Sequence, residues 1–468
     1  MRVVVVGYGM AGARLASHLH GRAAVTVLGA EEHPAYNRIL LSNVVAGKAR
    51  ESDVRLAEPS CPRAEVRLGV TAVGLDPAAH AVSGSDGLTY EYDRLVLATG
   101  AEPLLPPIKG LVRDDGSLPD RVAAFRTLDD CRRILDLARH ARSALVLGGG
   151  LLGLEAARGL AAQGLAVTVL HPLGHLMERQ LDPPAGAVLV TALSALGVNV
   201  VLEAPTLAVH EGPGLVEAVL ADGRRLDADL LVIACGVRAC TGLAEAAGLG
   251  VDRGILVDDR LRTTDRHIYA IGDCAQHAGT VGGLVAPAWE QARVVADVVT
   301  GDRPLARYAP RPAVTRLKAS GIDLAAMGDS TAADGDVVTF TDPARGTYAK
   351  LVVRDDRLAG AIMLGDNPTV GAVIQLFDRG GRLPADRRSL LLGAHNPSAG
   401  EPSPSLMPDA AVICQCNTVT KGALVRCWHD GARSAADLIA GTRAATGCGS
   451  CRDAVDGIAT WLDREGTG

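Results

Sequence analysis

Aromatic side chains are scarce in this chain: three Phe, three Trp and seven Tyr among 468 residues. Lysine is scarce too, at five of the 47 basic residues. The arginines that make up the rest form no basic block, and 53 acidic residues bring the formal net charge to -6. That balance argues against a binder of nucleic acid or of an anionic membrane. Ten cysteines are too sparse for a disulfide scaffold in a chain of this length. Long apolar runs are lacking as well. The stretches 159–177 and 183–202 are uncharged and reach membrane length. Gln163, His171, Pro172 and His175 interrupt the first, and Pro183, Pro184, Gly186, Gly197 and Asn199 the second. A spanning helix needs about 20 predominantly apolar residues, so these stretches read as helix–glycine–strand units. The amino terminus has no convincing cationic region, and its apolar run from Val3 to Val6 breaks at Gly7, unlike a signal peptide. A soluble, cytoplasmic protein is expected.

What is abundant is small and aliphatic. The hydrophobic fraction is 48% and glycine numbers 54. This suits close-packed βα units joined by tight glycine turns. At about 150 residues per domain, the length suggests about three domains. Residues 2–6 form a β-branched run, hence a buried parallel strand. A glycine turn, an amphipathic stretch from Ala11 to His20 and a strand from Ala24 to Leu28 complete a βαβ unit. A second unit starts at Ala144, with its helix from Leu151 to Gln163 and its next strand from Ala166 to Leu170. Further strands are expected at 94–98, 230–234 and 268–271. From about Leu305 the pattern changes to strands at 337–341, 348–353 and 358–364 before a helix around 369–376. This reads as a separate α+β domain. The segment 395–408, rich in Asn, Pro, Ser and Gly, reads as a linker.

Two glycine motifs follow the two strand starts. In Gly7-Tyr8-Gly9-Met10-Ala11-Gly12 the first glycine makes the turn, the second lets backbone approach a pyrophosphate, and the third lets helix pack on strand. Glu31 follows the next strand, placed to accept hydrogen bonds from an adenosine ribose. The second copy is Gly148-Gly149-Gly150-Leu151-Leu152-Gly153, followed by Glu155. Its ribose position carries His171 in place of a carboxylate. An acid there would favour NADH, whereas a neutral or cationic His would tolerate NADPH, so the choice between NADH and NADPH stays open.

Thr263 to Asp273, together with Leu97-Ala98-Thr99-Gly100, makes the chain resemble the two-dinucleotide flavoprotein disulfide reductase superfamily. The resemblance implies an α/β fold with two interleaved Rossmann-like domains, FAD on the first glycine turn and NAD(P)H on the second. Asp273, beside Gly272, would hydrogen-bond the ribityl chain of FAD, and Ala98, Thr99 and Gly100 would form the crossover to the nicotinamide domain. Gly236, after the strand 230–234, falls on the nicotinamide side, and Glu155 would orient the nicotinamide face. Ala35-Tyr36-Asn37-Arg38 with Leu41-Ser42 resembles the flavin-contacting segment of the ferredoxin-reductase-like branch, with Arg38 and Ser42 as contacts. The lysine usual after that serine is Asn43 here. Disulfide-reducing relatives carry a redox cysteine pair beside the flavin. Here Cys235 and Cys240 lie in the wrong region and read as packing residues. Electrons must leave by another route.

That route is expected in the tail. Cys414-Gln415-Cys416 is followed, after 31 residues, by Cys448-Gly449-Ser450-Cys451. Side chains two apart on an extended chain share a face, so Cys414 and Cys416 can converge. Four thiolates suit a [2Fe–2S] centre and would also suit zinc, whose ligands are usually spaced by two to four residues. Cys427 reads as a spare that packs beside Trp428 on a helix. With Val419-Thr420-Lys421-Gly422 after the first pair, the tail resembles the bacterioferritin-associated-ferredoxin-like [2Fe–2S] domain.

The implied order is an FAD domain over 1–115 and 251–303, an NAD(P)H domain over 116–250, a small α+β domain over 304–394, a linker over 395–409 and a small helical [2Fe–2S] domain over 410–468. With Arg126-Thr127, Asp129, Met177 to Asp182 and Gly283 to Pro287, this order resembles the N-terminal half of the assimilatory NAD(P)H nitrite reductase large subunit. It also resembles the electron-transfer subunit of assimilatory nitrate reductase. The expected function is to pass electrons from NADH or NADPH through FAD and a [2Fe–2S] cluster to a separate catalytic subunit of nitrate or nitrite assimilation. No catalytic side chain is expected. The chain ends without a further cysteine quartet for sirohaem and [4Fe–4S] chemistry, so it is not expected to reduce nitrite itself. Two alternatives stand beside this: a stand-alone reductase of a ferredoxin, rubredoxin or oxygenase, and a non-catalytic redox sensor.

Overall fold

The computed structural model describes residues 1–56, 64–310, 312, 314–317, 319–393, 404–414, 417, 419–445 and 451–465. The chain divides into two compact units. The first is Met1–Arg38, Arg50–Glu102 and Val237–Arg311; the second is Ile39–Ala49, Pro103–Gly236 and Pro312–Gly468.

The first unit is built on a five-stranded parallel sheet. Arg2–Val6 lies at its centre, with Ala24–Gly29 and then Ala64–Leu68 on one side. Arg94–Leu97 and then Ile268–Ala270 lie on the other. Alternation along the central strand divides its valines between two cores. Val3 and Val5 meet Leu15 and Ala16 of the helix Met10–His18 and Val294 and Val295 of the helix Val285–Thr300. Val4 and Val6 meet Val82 and Tyr92 on the opposite face. Val82 belongs to the antiparallel meander Ala72–Asp76, Ala81–Gly84 and Thr89–Glu91. Both faces are therefore covered, which is what a parallel sheet requires.

The second unit repeats the pattern. Ser143–Leu147 is central, flanked by Ala166–Leu170 and Val198–Val201 on one side and by Leu230–Ile233 and Val122–Ala124 on the other. In each sheet the strand order reverses beside the central strand. That switch point opens the crevice where α/β sheets bind nucleotides. The same unit holds a five-stranded antiparallel sheet, in the order Val314–Arg316, Leu324–Gly328, Arg357–Leu364, Thr347–Arg354 and Asp336–Asp342. The helix Val370–Arg379 packs on it through Val373 and Ile374. In the tail, Lys421–His429, Ala435–Thr442 and Arg452–Glu465 gather around Leu424, Leu438 and Val455.

The fold class is the expected one, including the small α+β domain, whose sheet is antiparallel, and the helical tail. Strand Ala166–Leu170 has the expected ends, and helix Leu151–Ala162 stops one residue short of them. Most of the expected linker lies outside the described residues. Among the described residues, no helix is long and apolar enough to cross a membrane.

Candidate functional sites

The first glycine loop is shaped by close backbone approach. Gly7 has φ 109°, and a Cβ there would stand 2.1 Å from the Ala98 carbonyl oxygen. A Cβ at Gly12 would stand 2.0 Å from the Gly7 oxygen. Neither position can carry a side chain without moving backbone. Among the described residues, a Cβ at Gly9 would meet only Arg38 Nε within 4 Å, at 3.9 Å, apart from its chain neighbours. The loop is thus tight where strand meets helix and open where a phosphate would approach, so these residues fit a dinucleotide such as FAD.

Other expected residues of the first unit gather around that loop. Gly272 lies against Ala11, and a Cβ there would come within 3.1 Å of the Ala11 Cβ. The Gly272 N–H donates to Gln291 Oε1 at 2.7 Å. Asp273 follows in the 3-10 turn Gly272–Cys274. The Trp289 indole donates to the Met10 carbonyl at 3.2 Å. Ala98 is hydrogen-bonded to Val6 in the sheet, and the Thr99 hydroxyl donates to the Cys240 carbonyl at 2.7 Å. Gly100 has φ 71° with open space where a Cβ would be.

Glu31 is held by two donors. The Tyr36 hydroxyl donates to one carboxylate oxygen at 2.6 Å, and the Arg38 guanidinium donates to the other. Arg38 also stacks over the Tyr36 ring, 5.0 Å from its centroid. Burial works against the Arg38 charge, but Tyr36, Glu31 and Asp273 outweigh it and raise its pKa. Ser42 is buried in the short helix Leu41–Val45, which belongs to the second unit.

The second glycine loop has the same construction. Gly148 has φ 112° and would place a Cβ 2.3 Å from the Ala234 oxygen, and Gly153 would place one 2.0 Å from the Gly148 oxygen. Among the described residues, a Cβ at Gly150 or Gly236 would meet nothing within 4 Å beyond its chain neighbours. Leu151 and Leu152 open the helix Leu151–Ala162, in which Glu155 is buried. His171 is buried as well, and burial lowers its pKa. Cys235 rests 3.5 Å from the Leu147 carbonyl, with its thiol pushed up to about 11 by burial. A thiol so far from ionising at neutral pH is a poor nucleophile, in keeping with a packing role.

In the tail, Cys414 ends the strand Val412–Cys414, and Cys451 precedes the helix Arg452–Glu465. Both are buried in the same core. Cys416 and Cys448 lie outside the described residues. The Asn417 amide donates to the Arg443 carbonyl at 2.6 Å, tying the first cysteine segment to the chain that leads toward the second. Arg443 and Ala445 both have positive φ, 62° and 57°, at that bend. Cys427 packs at the edge of the tail core. Among the described residues no three His, Cys, Asp or Glu side chains gather as a metal site. Two buried thiols brought to one core are nonetheless compatible with a thiolate-bound cluster.

Three features escaped the sequence reading: the Glu178 carboxylate beside His171, the buried group Asp182–Tyr348–Lys350, and Arg158. The Arg158 guanidinium donates to the Leu196 carbonyl at 2.8 Å and the Ser320 carbonyl at 3.2 Å. Asp182 alone carried a local signal: it precedes Pro183 and caps the helix Pro183–Ala195.

Residues 1–293 match the family described as pyridine nucleotide-disulphide oxidoreductase. The chain belongs to that family. It is a family of FAD-dependent pyridine nucleotide oxidoreductases. Residues 313–374 match the rubredoxin NAD+ reductase C-terminal domain, and residues 412–460 a BFD-like [2Fe–2S] binding domain. Two Bacillus subtilis relatives are similar along nearly the whole of this chain. The assimilatory nitrate reductase electron transfer subunit is 34% identical over 98% of this chain and 60% of its own length. The nitrite reductase [NAD(P)H] is 35% identical over 98% of this chain and 57% of its own. The chain therefore spans less than two thirds of these relatives. Among solved structures, the covalent putidaredoxin reductase–putidaredoxin complex has a TM-score of 0.74 at 26% identity, over 83% of this chain and 95% of that one.

Proposed function

We propose that this protein is an electron-entry component of nitrate or nitrite assimilation. It takes hydride from NADH or NADPH and delivers electrons to a separate catalytic subunit. The observation that carries the reading is the two glycine loops and a tail with Cys414 and Cys451 buried together, all within one chain. The similarity to the nitrate and nitrite reductase components runs through 98% of the chain and supports the same reading.

The geometry and the resemblance together support a role for each residue. Gly7, Gly9 and Gly12 let the backbone and the start of helix Met10–His18 face a pyrophosphate, with Met10 and Ala11 at its edge. Glu31, oriented by Tyr36 and Arg38, accepts from the adenosine ribose of FAD. Asp273, carried on the turn that Gln291 fixes, holds the ribityl chain. Gly148, Gly150 and Gly153 form the equivalent seat for the nicotinamide nucleotide, and Glu155 orients its reacting face. Cys414, Cys416, Cys448 and Cys451 would hold a [2Fe–2S] cluster. When bound, FAD supplies two-electron acceptance with one-electron release, and a [2Fe–2S] cluster supplies one-electron transfer. The protein's contribution is binding, orientation and exclusion of water, with no side chain acting as acid or base.

An anaerobic titration with NADH and with NADPH tests this, followed by the visible spectrum and then by addition of the catalytic subunit with nitrate or nitrite. Bleaching by the nucleotide and recovery only in the presence of that subunit are expected. A second reading, reduction of rubredoxin, is favoured by the match over residues 313–374. Faster recovery with rubredoxin than with the catalytic subunit would select it.

A further inference from the structure

The strand that follows a Rossmann glycine helix normally ends in the acid that reads the ribose. In the second sheet that strand is Ala166–Leu170, and the residue at its end is His171. The His171 side chain is only 6% exposed and is already engaged. The Gly149 N–H donates to its Nδ1 at 3.1 Å. With Nδ1 accepting, the ring carries its hydrogen on Nε2. The ring also packs onto the loop, since a Cβ on Gly149 would come 2.8 Å from His171 Cγ. His171 is a neutral brace under the glycine loop, with no charge to offer a 2′-phosphate.

A carboxylate stands beside it. His171 Nε2 faces Glu178 Oε2 at 3.4 Å, and the Glu178 side chain is 32% exposed. The segment carrying Glu178 is itself pinned to the loop. Met177, at φ 52°, donates its N–H to the Gly149 carbonyl at 3.0 Å. Gly149 is thus bonded both to the residue before Glu178 and to the histidine that Glu178 faces. This ring of contacts fixes a negative charge next to the strand end, where the sequence itself has none.

We propose that Glu178 is the specificity-determining residue of the nicotinamide nucleotide site. It substitutes for the missing strand-end acid, accepts hydrogen bonds from the ribose hydroxyls and repels a 2′-phosphate, so the protein uses NADH in preference to NADPH. His171 is a positioning residue that sets the loop and the carboxylate together. The inference rests on the reading of a nicotinamide nucleotide as electron donor. The one cation next to Glu178 in the chain is Arg179, which is exposed and is the rival reader of a phosphate.

The test uses the full-length, FAD-loaded protein, with ADP-ribose and 2′-phospho-ADP-ribose as probes in calorimetry and NADH and NADPH in ferricyanide reduction. Wild type is expected to bind ADP-ribose at least about tenfold more tightly than its 2′-phosphate. Glu178→Gln is expected to narrow that ratio about tenfold, the scale of a hydrogen bond to a charged group. In turnover the same change raises KM for NADH more than it lowers kcat. Retained flavin and an unchanged melting temperature mark a folded variant. Tighter binding of the 2′-phosphate by wild type, a ratio unmoved by Glu178→Gln, or loss of 2′-phosphate binding in Arg179→Ala with no change in Glu178→Gln would each overturn the assignment. If ADP-ribose binds in a Glu178-dependent way but neither nucleotide reduces the flavin, the donor reading fails and the ribose assignment stands. Failure of both probes to bind overturns both.

Discussion

Asp182 and Lys350 form a buried ion pair 3.0 Å long, with side chains 14% and 7% exposed. They lie 168 residues apart in the chain. The Tyr348 hydroxyl donates to the same Asp182 oxygen at 2.9 Å, and burial, then this bond, raises its pKa. The other Asp182 oxygen accepts from the Ala185 N–H at 3.1 Å and caps the helix Pro183–Ala195. One carboxylate thus joins a helix of the nucleotide sheet to a strand of the antiparallel sheet. Breaking one side of a buried pair strands the other charge. Lys350→Met is expected to lower stability by about 3 kcal/mol, read as a lower urea midpoint. The double variant Lys350→Met/Asp182→Asn is expected to recover part of that loss, because asparagine still caps the helix and leaves no lone charge. Equal stability of the single variant and wild type would remove the pair from any part in holding the two sheets.

The two glycine loops predict a paired outcome. Gly9 and Gly150 both have room for a side chain in the folded protein. Bulk at either fills the space needed by its nucleotide without forcing the backbone. Gly9→Val is expected to give a folded protein that purifies without flavin. Gly150→Val is expected to keep flavin and lose reduction by NADH and NADPH. Flavin content by absorbance and ferricyanide turnover separate the cases, and loss of flavin from Gly150→Val would reverse the two assignments.

Cys451 is 7% exposed and shares its core with Cys414. As a proposed cluster ligand it would lie downstream of hydride entry. Cys451→Ser is expected to reduce bound iron and abolish delivery to the catalytic subunit while ferricyanide turnover with NADH stays near the wild-type value. Equal loss of both activities would mean that the tail acts on the nucleotide sites and not after them. Stoichiometric zinc in the wild-type protein would replace the cluster assignment with a structural metal.

The elements that local chemistry dictates were legible in the sequence. Val3 to Val6 and the run Ala166–Leu170 declare buried parallel strands through consecutive β-branched residues, and the glycines after each central strand declare the tight turns into the helices. The meanders Ala72–Glu91 and Thr206–Ala228 were not legible, because three short strands with half-exposed faces leave little periodicity. Nor was the charge beside the second loop. Glu178 comes seven residues after His171, and the bond from Met177 to Gly149 brings it back to the strand end. Lys350 was hidden for the same reason, since its partner is fixed by how two sheets pack and not by nearby sequence.

His18 predicts an acid sensitivity. It closes the helix Met10–His18, where a positive charge would ordinarily be favoured. Burial and then the nearby Arg14 instead lower its pKa from 6.5 to about 4; Asp297 pulls upward, and Arg22 and Arg293 pull down. Between those two values the unfolded chain binds a proton that the folded chain refuses. Stability from this group is therefore complete above pH 6.5 and is lost as pH falls toward about 4. The ceiling is about 1.4 kcal/mol per pH unit, and a half-buried side chain realises less. In urea unfolding at pH 7.5 and at pH 5, wild type is expected to lose more stability on acidification than His18→Gln, which has no proton to take up. Parallel losses in the two proteins would place the acid sensitivity elsewhere.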